Sequence, residues 1–173
     1  MPSNVEIKAR VQDIDNLKRL AKSLSESEGV ILKQEDVFFN VPHGRLKLRK
    51  IQGSFSELIF YDRPDQEGPK FSDYSKTNVD DPTSLQDTLS KALGVKGIVT
   101  KTRTLYMVGQ TRVHVDQVNG LGNFMELEVM MKEGQSVGEG EGIAKDLMVK
   151  LGVKNNDLIS CAYMDLILNK ITI

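Results

Sequence analysis

Residues 101–128 read KTRTLYMVGQTRVHVDQVNGLGNFMELE. Two alternating runs, KTRTLYMV and TRVHVDQV, are separated by Gly109 and Gln110, and the loop NGLGN leads to a third, FMELEVMM. Alternation puts every second side chain on the same face of a strand. Short turns that contain glycine join such strands as hairpins. The stretch therefore predicts consecutive antiparallel strands on which charge is sorted by face. Lys101 and Arg103 share one face. Arg112, His114 and Asp116 share a face opposite Val113 and Val115. Glu126 and Glu128 share a face opposite Met125, Leu127 and Val129. The signs are sorted as well: four Lys or Arg and no acid from Lys96 to Val115, then three acids and no base from Asp116 to Glu128.

The same habit recurs outward from this segment. In NVEIKAR, Glu6, Lys8 and Arg10 oppose Val5, Ile7 and Ala9; in RLKLRK, Arg45, Lys47 and Arg49 oppose Leu46 and Leu48. In SELIFYDR the faces are mixed, since Glu57 and Arg63 share a face with Ile59 and Tyr61. Residues 30–40 read as extended, and SDYSKTNV as a further strand. Helices are expected after Asp13, which can cap Ile14, Leu17, Leu20, Ala21 and Leu24 at helical spacing, and from Pro82 to the stop at Gly94. A Gly-rich acidic lead-in, KEGQSVGEGEG, precedes a helix near residues 138–151, and ISCAYMDLILNK reads as a last short helix. The count is about eight strands and three or four helices, expected as one domain over residues 1–173.

Composition excludes several classes. The chain has 173 residues, 39% hydrophobic and 27% charged, as a folded globular protein does. No apolar run reaches the ~20 residues of a membrane span, and the N-terminus MPSNVEIKAR lacks a signal peptide's apolar core. One cysteine, Cys161, excludes an internal disulfide framework and a Cys-rich zinc site. A net charge of −1 from 23 bases and 24 acids argues against a broad nucleic-acid or membrane-binding surface. The expected compartment is cytoplasmic. The expected state is a monomer or homodimer, since a closed barrel leaves no strand edge to cover.

Charged faces on strand after strand suit an α+β fold in which about eight antiparallel strands close into a barrel, or tunnel, with helices packed outside. The aliphatic faces would meet the helices and the charged faces the lumen. A charged lumen needs a charged occupant, because unpaired buried charges are costly. Converging guanidinium and ammonium groups suit a chain of phosphates. Carboxylates in the same cavity suit Mg²⁺ or Mn²⁺. No P-loop or Rossmann glycine motif is present.

These residues resemble the CYTH superfamily, the triphosphate tunnel metalloenzymes, which includes class IV adenylate cyclases, thiamine triphosphatases and inorganic tripolyphosphatases. NVEIKAR is similar to its E-x-E-x-K signature. RLKLRK, ELIFYDRPD with GPKFSDY, KTRTLYMVGQTRVHVDQVNGLGNFMELEV and AYMDLIL follow in the family's order over nearly the whole chain. The resemblance implies an eight-stranded antiparallel tunnel and a metal set of Glu6, Asp116, Glu126 and Glu128. It implies a substrate-binding set of Lys8, Arg45, Lys47, Arg49, Arg63, Lys101, Arg103, Arg112 and His114. Glu6, Lys8, Glu126 and Glu128 are the implied catalytic residues. Two departures stand out. Asn4 replaces the first signature acid, keeping an oxygen but losing a charge, and RPD replaces the usual Lys of the hairpin strand, with Arg63 as its stand-in. The implied function is metal-dependent hydrolysis of a triphosphate-containing small molecule: a nucleoside triphosphate, thiamine triphosphate or tripolyphosphate. The alternatives are a class IV adenylate cyclase and a nucleotide- or polyphosphate-binding module without turnover. Cys161, Phe38, Phe39, Tyr106 and Tyr163 read as packing residues.

Overall fold

The strands marked by alternation join into a closed surface through their twist and stagger. A computed structural model describes residues 3–62 and 67–171. Its strands are β1 (Ser3–Arg10), β2 (Val30–Phe39), β3 (Arg45–Ile51), β4 (Ser56–Asp62), β5 (Lys70–Val79), β6 (Val95–Val108), β7 (Thr111–Val118) and β8 (Gly122–Met130). They close in the order β1-β5-β4-β3-β2-β6-β7-β8, with every neighbouring pair antiparallel. This is the antiparallel eight-stranded barrel expected from the sequence.

Four helices, α1 (Ile14–Ser25), α2 (Pro82–Leu93), α3 (Val137–Lys150) and α4 (Tyr163–Ile171), lie outside or across its end. Asp13 caps α1 by accepting from the Asn16 amide at 3.0 Å, and Asp81 caps α2 by accepting from the Ser84 amide at 3.0 Å. Three apolar layers attach the helices. Val5, Ile7, Val113, Val115, Leu127 and Val129 on the outer faces of β1, β7 and β8 pack with Leu17 and Ala21 of α1 and with Ala144 and Leu147 of α3. Val37, Phe39 and Leu48 meet Leu85 and Leu89 of α2. Phe38, Val99 and Phe124 meet Tyr163 and Met164 of α4. Each aliphatic side chain taken fully out of water stabilises the fold by about 1.5–3 kcal/mol. Two of these layers lie outside the barrel and the third closes its covered end, so the rest of the lumen is free to carry charge.

Two helix boundaries are fixed by the structure. The helix expected near residues 138–151 is α3, Val137–Lys150, so the Gly-rich lead-in ends at Ser136, which caps the helix by accepting from the Glu139 amide at 3.2 Å. Gly140 is needed there, because a Cβ would lie 2.9 Å from Val5 Cγ2 on β1. The last helix begins at Tyr163 and not at Ile159. Leu158 bridges Ala9, and the Ile159 amide donates to the Lys8 carbonyl at 3.0 Å, so these residues extend along β1 before the helix starts.

Candidate active site

The charged faces do turn inward. A cavity of about 410 Å³ fills the barrel, and Lys8, Lys47, Arg49, Lys76, Lys101, Arg103 and Arg112 line it together with Glu6, Asp36, Glu57, Glu126 and Glu128. The C-terminal segment covers one end. Lys70 Nζ donates to the Ser160 carbonyl at 2.7 Å, and Arg45 pairs with Asp165 at 2.7 Å. The Tyr163 ring lies beneath Lys8, 4.0 Å from its Nζ, and 5.1 Å from Lys101 Nζ. The β3–β4 and β6–β7 turns are at the opposite end.

Three clusters organise the charges. In the first, His114, Glu126 and Glu128 bring ligand atoms within 4.8 Å of one another. His114 Nδ1 lies 3.2 Å from Glu128 Oε1 and 4.0 Å from Glu126 Oε2. Adjacent strands β7 and β8 make this possible, because His114 sits directly across from Glu126. Burial and the neighbouring Arg103 hold the His114 imidazole well below its usual pKa, so it is neutral. Burial works to raise Glu126, but Lys8 at 3.4 Å and Arg103 outweigh it and keep that carboxyl well below the usual range. Burial and the charges of Glu6 and Glu126 push Glu128 up. Asn4 Nδ2 reaches Glu128 Oε2 at 3.4 Å. Asn4 and His114 are each only 4% exposed, and Asn4 Oδ1 and His114 Nδ1 have no hydrogen-bond partner among the described residues. Buried polar atoms are seldom left unpaired. Two such atoms beside two carboxylates fit a divalent cation with oxygen and nitrogen ligands.

In the second cluster Asp36 gathers cations. Arg49 donates to it bidentately at 2.9 and 3.0 Å, and Lys101 and Lys47 lie at 3.6 and 3.7 Å. Burial opposes ionisation of Asp36, but Arg49, Lys47 and Lys101 hold its carboxyl well below the usual range. Burial, then repulsion from Arg49, lowers Lys47 to about 7; burial, then Arg103, lowers Lys101 to about 8. In the third cluster Arg103 donates to Asp116 at 2.7 and 2.8 Å, and Tyr163 Oη donates to Asp116 Oδ2 at 2.8 Å.

Residues 3–163 match the CYTH domain. The chain belongs to the CYTH family. Adenylate cyclase CyaB of Aeromonas hydrophila is 25% identical over 179 residues, spanning 98% of this chain and 91% of that protein. The PH1012 protein of Pyrococcus horikoshii is 27% identical with a TM-score of 0.83, over 94% of this chain and 98% of that one. HpAC1 of Hippeastrum, described with a dominant triphosphatase activity, shares the fold at 15% identity and a TM-score of 0.66, covering 96% of each chain.

Within this CYTH barrel, ten of the sequence-selected residues face the cavity: Glu6, Lys8, Lys47, Arg49, Lys101, Arg103, Arg112, His114, Glu126 and Glu128. Two lie elsewhere. Asp116 is fully buried behind Arg103, where its oxygens accept from Arg103 and Tyr163, and it does not join His114, Glu126 and Glu128. Arg45 sits at the covered end, held bidentately by Asp165 of α4 at 2.7 and 3.3 Å. Arg63 lies outside the described residues. Asp36, Glu57, Lys76 and Tyr163 line the cavity without having been selected. Glu57 is legible in the alternation of β4, where it shares a face with Ile59 and Tyr61. Tyr163 packs against Phe124, as its sequence context suggests, and also anchors Asp116.

Proposed function

We propose that the protein is a metal-dependent phosphohydrolase that binds a triphosphate chain inside the barrel. The observation that supports this most is one cavity lined by seven basic side chains beside the converging set His114, Glu126 and Glu128. Lys8, Lys47, Arg49, Lys101, Arg103 and Arg112 neutralise phosphate oxygens with charge-assisted hydrogen bonds. Glu126, Glu128 and His114, with the Asn4 carbonyl, hold Mg²⁺ or Mn²⁺, and Glu6 adds negative charge from β1 beside Glu128. When bound, such a cation offsets phosphate charge and lowers the pKa of a water. The water oxygen bonds to the terminal phosphorus, the bridging P–O bond breaks, and orthophosphate and a diphosphate leave. The basic side chains hold the chain in line and balance the charge that develops on the leaving oxygen.

A second reading, cyclase chemistry, is favoured by the name of the Aeromonas hydrophila relative. There a ribose 3′-hydroxyl attacks the α-phosphorus and pyrophosphate leaves. Incubation with ATP, tripolyphosphate and thiamine triphosphate, each with Mg²⁺ or Mn²⁺, separates the readings. Orthophosphate release is the expected result. Cyclic AMP with pyrophosphate establishes the second reading, and binding without any product overturns both in favour of a binding module.

Two further results are expected. Arg49→Ala raises KM for the triphosphate by about 10- to 100-fold in steady-state assays, since one charge-assisted contact contributes roughly 1.5–3 kcal/mol. The fold persists, because Asp36 keeps Lys47 and Lys101. An unchanged KM takes Arg49 off the binding path.

The other concerns pH. Lys47 near 7 and Lys101 near 8 are largely neutral at pH 8.5. A bound polyanion raises both toward the ordinary lysine value, so the complex carries more protons than the free protein. Affinity then falls as pH rises above 7, by up to about tenfold per pH unit for each lysine that titrates. Calorimetric titration of tripolyphosphate at pH 8.5, in two buffers of different ionisation enthalpy, detects this as proton uptake. Proton release or none contradicts it.

A further inference from the structure

One wall of the lumen carries a donor with nothing to donate to. Gln34, on the inward face of β2, lines the cavity but is only 3% exposed, and its Nε2 has no hydrogen-bond partner among the described residues. The next inward residue of β2 is no acceptor for it. Asp36 already accepts twice from Arg49 and pairs with Lys47 and Lys101. Buried polar atoms are seldom left unpaired, because the loss of a partner is costly. A buried, unpaired donor on a cavity wall therefore points to an acceptor that arrives from outside the fold.

The chemistry of the atom says what arrives. Asn4 Oδ1 and His114 Nδ1, also unpaired, sit with Glu126 and Glu128 and suit a cation. Gln34 Nε2 is an amide nitrogen, which donates and does not accept, so it suits an oxygen of an anion. Strand order separates the two: β2 is four strands from β1 in either direction round the barrel and three from β8. Gln34 is also placed among the cations that would hold the same anion, in register with Lys101 on β6 and one inward step from Asp36 and its Arg49. A carboxamide suits this place. Burial, then the neighbouring arginines, already lower Lys47 to about 7 and Lys101 to about 8. Another ammonium would meet the same repulsion, whereas an amide donates without adding charge. Resting on the triphosphate reading above, we propose that Gln34 is a substrate-binding residue whose carboxamide donates to a phosphate oxygen on the wall across from the metal cluster. The contact exists only in the complex. Its removal therefore weakens binding without weakening the ligand-free fold.

The test is calorimetric binding of tripolyphosphate, in EDTA and again in Ca²⁺, to wild type, Gln34→Met and Gln34→Glu, with thermal unfolding of each ligand-free protein. Methionine keeps the length of the side chain without a donor. Glutamate keeps the shape and replaces the donor with a charge that repels phosphate. The expected result is a dissociation constant about tenfold or more higher in Gln34→Met, the size of one hydrogen bond to a charged group, and higher still in Gln34→Glu. The ligand-free melting temperature of Gln34→Met equals or exceeds that of wild type. If Gln34→Met does not fold, Gln34→Glu, which has Lys101 beside it, carries the binding test. An unchanged dissociation constant in the folded variants overturns the contact and leaves the phosphate site standing. Weaker binding accompanied by a lower ligand-free melting temperature in both variants also overturns it, since Gln34 then serves the empty fold. Failure of wild type to bind tripolyphosphate in either condition overturns the triphosphate reading itself, and the contact with it.

Discussion

Arg103→Ala is expected to destabilise the protein by about 3–5 kcal/mol, the cost of breaking a buried ion pair by removing one partner. Arg103 is 2% exposed and Asp116 fully buried, and two short hydrogen bonds join them. Alanine in place of arginine leaves Asp116 with the Tyr163 hydroxyl as its one side-chain hydrogen-bond donor among the described residues, and a void where the guanidinium lay. The loss spreads, because Tyr163 lies under Lys8 and Lys101 and packs with Phe124 at the covered end. For a chain of this size the expected fall in melting temperature is about 6–20 °C. Asp116→Ala in the same background restores part of it, because the stranded charge is gone. A melting temperature within 2 °C of wild type refutes the structural role of the pair. Arg103 thus differs from Arg49, whose carboxylate partner keeps two lysines when the arginine is removed.

Glu126→Gln and Glu128→Gln are each expected to reduce metal-dependent turnover by about 100-fold or more, since Gln keeps the shape but loses the charge that holds the cation. Their stabilities should part company. Glu128 is pushed up by burial and by Glu6 and Glu126, so neutralising it relieves repulsion and leaves the fold as stable or more so. Glu126 is held down by Lys8 and Arg103 against its burial, so neutralising it weakens those contacts and lowers stability. Turnover assays, Mn²⁺ binding by electron paramagnetic resonance and thermal unfolding read the three effects. Full activity in both variants removes these carboxylates from the metal site.

Much of this was legible in the sequence because one rule, period-two alternation, governs every strand of a barrel. The sorted charges of RLKLRK, TRVHVDQV and FMELEV gave the lumen, and the parity breaks in the β2–β6 pair, where the register shifts at Phe38 and Phe39. What alternation cannot supply is depth. Arg45, Lys47 and Arg49 share one face of β3, yet Arg45 ends against Asp165 while the other two reach the cavity. Asp116 shares its face with Arg112 and His114, but the stagger of β7 carries it behind Arg103. That stagger comes from closing the barrel and leaves no mark in a single strand. Asp36 was missed for a different reason: the inward face of β2 is Leu32, Gln34, Asp36 and Phe38, and one charge among neutral neighbours gives no pattern. Tyr163 is placed by the docking of α4, a tertiary event, and its packing character is real alongside its hydrogen bond to Asp116.

A crystal structure grown with tripolyphosphate and Mn²⁺ decides whether the lumen holds a triphosphate beside a divalent cation. Phosphate density against Lys47, Arg49, Lys101 and Arg112, with an anomalous Mn²⁺ peak bounded by His114, Glu126 and Glu128, is the expected result. Phosphate found only on the outer surface, or Mn²⁺ bound away from those three side chains, contradicts it.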